Sequence, residues 1–254
     1  MSNASERRSS LSVIITAYNE EALLPTTLAT AVGALTGIVA DYEIIITDDA
    51  SRDGTARAAD ELARAHPHVR VVHNPKNLNQ GGCYRVSIGL ATKEYHCLLP
   101  GDDMIQLESL RRLFASTGQA DMSLISIDNR EIRHPVRRHL SNAFVGVLNL
   151  LFGYRLMYYN GPVIIKTGLL RSIEVSQTFM FVADSVIKLL DRGASFVVVP
   201  VHFNVSDKAA NMRAIRRNLL PVVKHLARLY WCERIVTRLR PAENAGKRRQ
   251  IPPR

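Results

Sequence analysis

A chain of 254 residues with 46% apolar content is long enough to bury its own core, and it fits one α/β domain with an appendage. Its formal charge of +10 predicts attraction to polyanions, so nucleic acid, an anionic membrane surface and phosphorylated substrates are the partner classes to weigh. The three cysteines, Cys83, Cys97 and Cys232, have neither metal-ligand spacing nor an even-numbered framework, which argues against a disulfide scaffold or a zinc site and for a reducing compartment.

Residues 1–10, MSNASERRSS, are polar, lack the apolar segment of a secretory signal and are expected to be disordered. Leu11 to Thr16 (LSVIIT) is a β-branched run that reads as a buried strand ending on Ala17-Tyr18-Asn19-Glu20-Glu21. Leu23 to Leu35 follows as a helix with Pro25 in its first turn. Tyr42 to Thr47 is a second buried strand, ending on Asp48-Asp49, with an Ala- and Arg-rich helix from Thr55 to Ala65. Val69 to His73 is a third strand, Asn74 to Gly82 is turn-rich, and Cys83 to Ala91 reads as a helix. Tyr95 to Leu99 is a fourth strand, and it delivers Pro100-Gly101-Asp102-Asp103.

Strands alternating with helices imply a parallel sheet with right-handed crossovers. Ligands bind such sheets outside the carboxyl ends of the strands. Asn19/Glu20, Asp48/Asp49 and Asp102/Asp103 all fall there. Each pair alone is an ordinary helix cap, but together they outline one ligand-facing edge. Adjacent Asp102 and Asp103 repel unless compensated, and two hard oxygen ligands suit Mg²⁺ or Mn²⁺ on a diphosphate. Neither G-x-G-x-x-G after the first strand nor G-x-x-x-x-G-K-[ST] occurs, which disfavours dinucleotide oxidoreductases and P-loop enzymes.

In the second half, Leu107 to Thr117 reads as an amphipathic helix, Met122 to Ile127 as a strand, and Asp128 to Arg138 as a basic, proline-containing loop. Leu140 to Phe152 is apolar around nearly its whole circumference, as expected of a helix that is buried or lies in lipid. Arg133, Arg137, Arg138 and Arg155 flank it, which suits an interfacial helix or a core helix with snorkelling arginines. A strand over Asn160 to Ile165, a helix over Ser185 to Asp191 opened by Phe181-Val182-Ala183-Asp184, and a strand over Ser195 to Phe203 complete a domain spanning 11–205. The extension, 206–240, holds a basic loop and a helical stretch, Ala214 to Leu239, broken or begun again at Pro221. It packs on the domain, on another subunit as a homo-oligomer, or on a bilayer surface. The basic tail, 241–254, is expected to be disordered. No stretch has the roughly 18–20 apolar residues of a spanning helix, so a cytoplasmic, at most peripheral, protein is expected.

The segments SVIITAYNEE, IIITDDASRDGT, NLNQGG and LLPGDD, in this order and spacing, resemble the catalytic domain of family 2 glycosyltransferases of the GT-A fold, over roughly Leu11 to Phe203. The resemblance implies an α/β fold with a central, mainly parallel sheet flanked by helices, followed by C-terminal amphipathic helices. It also implies metal-dependent, inverting transfer of a sugar from a nucleotide-diphosphate donor. Carried over residue by residue, Ala17, Tyr18, Glu20, Asp48 and Asp49 bind base and ribose, and the loop from Asn77 through Gly81 to Gly82 lies beside the sugar. That loop matches the family pattern N-x-G-x-x-x-A-x-N-x-G only in part. In the family's Asp-x-Asp metal motif the third position is Asp103 and the first is Gly101, so Asp103 is the expected Mg²⁺ or Mn²⁺ ligand. Asp102, between them, contacts metal, ribose or solvent. Asp184 matches the family's general base, with a helix N-cap as its alternative role.

The run RRHLSNAFVGVLNLLFGYRLMYYNGPVIIKTGLLRSI is similar to the middle of polyprenyl-phosphate sugar transferases, in which a loop bearing residues such as Lys208 and Arg213 engages the diphosphate or acceptor phosphate. A lipid-phosphate acceptor at the membrane face is the implied partner. The competitors are a soluble or polysaccharide acceptor, and a nucleotide-binding relative without transfer activity, which Gly101 and Ala183 keep open. A nucleic-acid module is disfavoured, because aromatics are 6% of the chain and do not interleave with the basic clusters.

Overall fold

The computed structural model describes residues 9–132, 134–204 and 212–236. Its strands are β1 (Leu11–Ala17), β2 (Tyr42–Asp48), β3 (Val69–His73), β4 (Tyr95–Pro100), β5 (Met122–Ile127), β6 (Ile164–Lys166) and β7 (Phe196–Val201). The helices are α1 (Leu24–Leu35), α2 (Thr55–Ala65), α3 (Asn79–Leu90), α4 (Leu107–Ala115), α5 (Pro135–Phe152), α6 (Thr167–Arg171), α7 (Phe181–Asp191) and α8 (Met212–Tyr230), the last running into a π-helical turn, Trp231–Val236.

The strands form one sheet in the order β3-β2-β1-β4-β6-β5-β7, parallel throughout except for β6, which is antiparallel to both neighbours. Side chains alternate across a strand, so each strand feeds two cores. Val13 and Ile15 of β1, Ile44 and Ile46 of β2 and Cys97 and Leu99 of β4 pack with Leu28 and Leu35 of α1 and Leu113 and Phe114 of α4. Ile14, Ile45 and Leu98 point the other way, toward Tyr84 of α3, Leu148 and Phe152 of α5, and Val182 and Ile187 of α7. Both faces of the central strands are therefore covered, which is why they read as continuous apolar runs.

After β1 the chain winds outward through β2 and β3, then crosses back to place β4 on the other side of β1. That reversal makes the gap between the carboxyl ends of β1 and β4 a topological switch point, where open α/β sheets bind ligands.

Several elements differ from the sequence reading, β6 (Ile164–Lys166 rather than Asn160 to Ile165) and the start of α7 (Phe181 rather than Ser185) among them. Helix α3 starts at Asn79, inside the expected turn, because the Asp49 carboxylate accepts from its first amides. Helix α5 starts at Pro135, inside the expected basic loop, with Pro at a first-turn position that needs no N–H donor. The short helix α6 was not anticipated. Helix α8 runs through Pro221 without a break. The loop 205–211 and the tail beyond residue 236 lie outside the described residues.

Candidate active site

Three loops meet at the switch point. The loop leaving β1 and the loop leaving β2 are latched together by polar contacts. Asn19 N–H donates to Ser51 Oγ (3.0 Å), Arg52 N–H to Asn19 Oδ1 (2.8 Å) and Glu20 N–H to Thr55 Oγ1 (2.9 Å). Gly54 N–H donates to Glu21 Oε2 (3.0 Å), and a Cβ at Gly54 would lie 2.0 Å from Glu21 Oε1, so a side chain there would displace the Glu21 carboxylate. Of the residues expected here, Ala17 is buried and accepts from Asp49 N–H (2.9 Å) through its carbonyl, while Tyr18 is 43% exposed beside it.

Asp48 and Asp49 are nearly buried, at 4% each, and both carboxylates are used internally. Asp48 accepts from Ser51 N–H (3.1 Å) and pairs with His73 Nδ1 (3.1 Å), whose other ring nitrogen faces Asp60 (3.2 Å). Hydrogen bonding to Asp48, reinforced by Asp60, raises the His73 pKa above the usual imidazole value against the opposing effect of burial. Asp49 accepts from Asn74 Nδ2 (2.9 Å), Leu78 N–H (2.8 Å) and Asn79 N–H (2.9 Å). It thus caps α3 across the sheet edge, fixing three loops rather than projecting freely into the cleft.

The fourth strand brings the acid pair. Gly101 N–H donates to Thr16 O (2.8 Å), and a Cβ at position 101 would stand 2.9 Å from that same carbonyl. The first position of an Asp-x-Asp motif therefore has no room for a side chain here, and the carboxylates stand at 102 and 103 instead. Asp103 is gripped by three side chains, two from α1 and one from the segment after β7. Its amide donates to Thr27 Oγ1 (2.9 Å), its Oδ1 accepts from Thr30 Oγ1 (3.1 Å), and its carbonyl accepts from Asn204 Nδ2 (2.6 Å). Burial raises the Asp103 pKa, and repulsion from Asp102 adds to this against the opposing bond from Thr30. Among the described residues, the non-glycine residues with positive φ are Asn19 (55°), Ala50 (58°), Asn79 (58°) and Asp103 (47°). One follows each of β1 to β4, all on this edge.

Gly81 is buried on α3 beneath the segment leading into α7, where a Cβ would lie 2.4 Å from Gln177 O. In the amide orientation that hydrogen bonding favours, the Gln177 side-chain oxygen faces the Arg85 guanidinium at 2.9–3.2 Å. Asp184 is not a helix cap. Helix α7 begins at Phe181, and Asp184 N–H is already bonded to Met180 O (2.8 Å). Its side chain is wholly buried, and the carboxylate is bound by Lys188 Nζ (2.9 Å), His225 Nε2 (2.9 Å) and Ser176 N–H (3.3 Å). In this arrangement the carboxylate has no solvent-exposed surface. Lys208 and the side chain of Arg213 lie outside the described residues.

A second polar feature on the same edge was not singled out in the sequence. Ile127 at the end of β5, Arg130, Arg138, Ser141, Asn142 and Tyr158 line a small cleft. Arg130 is held by Ile127 O (3.0 Å) and Met157 O (2.9 Å). Asn129 next to it exchanges two hydrogen bonds with Phe203, whose neighbour Asn204 grips Asp103, so the cleft and the acid pair share one framework. Thr27, Thr30, Asn74 and Asn204 were also missed, since isolated Thr and Asn residues carry no motif.

The sequence profile of glycosyl transferase family 2 matches residues 12–179. The chain belongs to glycosyl transferase family 2. It is a glycosyltransferase, and its sheet is that of the GT-A fold. It is 30% identical over 209 residues to polyprenol monophosphomannose synthase of Mycolicibacterium smegmatis, covering 75% of this chain and 76% of that protein. It is 28% identical over 203 residues to undecaprenyl-phosphate mannosyltransferase of Micrococcus luteus, covering 75% and 82%. In three dimensions it is similar to glucosyl-3-phosphoglycerate synthase from Mycobacterium tuberculosis, in a complex with Mn²⁺, UDP-glucose and phosphoglyceric acid, with a TM-score of 0.67 at 17% identity over 85% of this chain and 79% of the other. A mannosyltransferase from Pyrobaculum calidifontis in complex with GDP-mannose and Mn²⁺ gives 0.64 at 16% identity over 88% and 65%.

Proposed function

We propose that this enzyme transfers a sugar, with inversion, from a nucleotide-diphosphate donor to a polyprenyl phosphate. The observation that carries the reading is the Arg130/Arg138/Ser141 cleft on the same sheet edge as Asp102 and Asp103. Two guanidiniums and a hydroxyl suit an acceptor phosphate, and the acid pair suits the metal-bound diphosphate of the donor. The names of the two bacterial relatives support the lipid-phosphate acceptor.

Asp103 is the group proposed to hold Mn²⁺ or Mg²⁺, with Asp102 beside it. The residues fit such an ion, because a partly buried carboxylate made costly to ionise by its neighbour is relieved by a cation. Among the described residues no group of three His, Cys, Asp or Glu side chains converges, so the donor diphosphate would complete the coordination, as is common for Mg²⁺. When bound, the ion supplies positive charge to the leaving diphosphate. Tyr18, Glu20 and the latched loops carrying Asp48 and Asp49 shape the base and ribose site.

Arg130 and Arg138 orient the acceptor so that one phosphate oxygen attacks the anomeric carbon. The new carbon–oxygen bond forms as the bond to the diphosphate breaks, and the nucleoside diphosphate leaves with the electron pair. No proton needs to move, because the attacking oxygen is already anionic, so enclosure of Asp184 does not obstruct the step.

The test is a thermal-shift series with UDP- and GDP-sugars, with and without Mn²⁺, followed by transfer to a short-chain polyprenyl phosphate. At least one donor should stabilise the protein only with the metal, and Arg138→Ala should raise the acceptor KM about tenfold while leaving the donor KM unchanged. Failure of every donor to stabilise the protein would overturn the reading.

A further inference from the structure

Helices α5 and α8 each carry two apolar faces, and only one of the two is covered. In α5, Leu148 and Phe152 pack with Phe144, Val145 and Leu151 against the sheet. Along the adjoining flank Val136, Leu140, Ala143, Val147 and Leu150 succeed one another at 4-3-4-3 spacing, all exposed, Leu150 at 83%. That spacing draws one line along a helix. In α8, Leu229 is buried with Val222 and Leu226 beside it, while Leu220, Val223 and Ala227 lie exposed on the flank of the helix, with Tyr230 at the border of the two and Trp231, 59% exposed, after it. The two helices meet where the Tyr230 and Phe152 rings stand 6.1 Å apart and Arg234 bonds the Phe152 carbonyl. Arg155 follows α5, and Lys224 and Arg228 lie on α8, all exposed.

Charge is divided along the chain in the same way. Residues 129–254 hold 22 Lys and Arg against 7 Asp and Glu, a net +15, which leaves −5 for residues 1–128.

We propose that α5 and α8 lie in the headgroup region of an anionic bilayer, their exposed apolar stripes entering the interface and Arg155, Lys224 and Arg228 meeting lipid phosphates. Exposed leucines and a tryptophan beside basic residues are the pattern of an in-plane helix, each group finding its own depth. Among the described residues no helix is long and apolar enough to cross a membrane, so the contact is to one leaflet. A second copy fits less well, because a self-complementary contact sets one basic surface against another. The proposal rests on the acceptor reading for its purpose. Arg138 and Ser141 lie in the first two turns of α5, so seating that helix brings the acceptor cleft to the level of lipid phosphates.

Flotation of the full chain with phosphatidylglycerol-containing and pure phosphatidylcholine vesicles, without any nucleotide sugar, tests the surface apart from the chemistry. Wild type should float with the anionic vesicles and lose most binding in 0.5 M salt, where the screening length is about half that at physiological ionic strength. Leu140→Glu/Leu150→Glu and Val223→Glu/Trp231→Glu should each cut the partition coefficient at least tenfold, with unchanged circular dichroism and donor-induced thermal shift. If either pair misfolds, Lys224→Glu/Arg228→Glu replaces it, with the same loss expected. No flotation of wild type, equal flotation with neutral vesicles, or unchanged flotation of the variants overturns the proposal. So does a solution dimer that the stripe variants dissociate. Flotation with no sugar transfer would refute the enzyme reading and leave the surface standing.

Discussion

Asp103 combines a left-handed backbone, partial burial and an adjacent carboxylate, each unfavourable to the folded protein by itself. Its raised pKa means that ionisation weakens folding, an effect fully present above the folded value and absent below the ordinary carboxylate value near 3.8. Asp103→Asn tolerates the same φ and carries no charge, so without metal its melting temperature at pH 7 should exceed wild type by about 1–2 °C, the two converging near pH 3. Transfer should fall on the order of 100-fold or more, and the Mn²⁺- and donor-induced shift should vanish. A lower melting temperature at pH 7, or an undiminished metal response, would contradict this account. Asp103 was legible in the sequence because it ends an apolar run at a parallel strand. Which carboxylates are committed internally was not legible, since Asp49 looks identical to Asp103 until Leu78 and Asn79 are seen to donate to it.

Helix α8 is tied down by two buried polar contacts rather than by apolar packing alone. His225 reaches Asp184, and Arg234 reaches Asp191 (2.8 Å), which also accepts from the Tyr154 hydroxyl. His225→Ala removes one partner from a carboxylate with no solvent access, leaving Lys188 and one amide. The expected cost is about 2–3 kcal/mol in urea unfolding, with faster amide exchange over 220–230, and Asp184→Asn in the same chain should recover part of it. An unchanged unfolding midpoint would show that α8 is held by its apolar face only. The amphipathic character of this helix was visible in the sequence, and its continuity through Pro221 was not, because tertiary packing overrides a local breaker. The same blindness hid the start of α5, where Pro135 reads as a loop residue unless it is recognised as a first-turn proline.

Across the whole molecule, a stabilising polar cluster lies at the sheet edge opposite the proposed site. At the amino ends of the strands, Glu43 accepts from Ser12 Oγ (2.6 Å), Thr92 N–H (2.6 Å) and Thr92 Oγ1 (2.9 Å) and pairs with Arg70 (3.3 Å), joining β1, β2 and β3 to the loop before β4. Burial would raise its pKa, but the bonds from Ser12 and Thr92 and the charge of Arg70 bring it below the usual carboxylate value. Its contribution is therefore present above pH 4.5 and lost as pH falls through the lowered value. Glu43→Gln should cost about 1–2 kcal/mol at pH 7, progressively less in acid, with both KM values unchanged. A shifted donor KM would show that the two edges communicate. The α/β architecture was readable because each central strand is a short β-branched run, whereas β6, expected over Asn160 to Ile165 and observed at Ile164–Lys166, shows its antiparallel direction only through its partners. The four left-handed residues Asn19, Ala50, Asn79 and Asp103 carry one last consequence. Glycine relieves such backbones by roughly 1 kcal/mol apiece, most at Ala50. Selection for heat resistance alone would drift toward glycine at these positions, and an engineer following melting temperature would dismantle the proposed donor edge first.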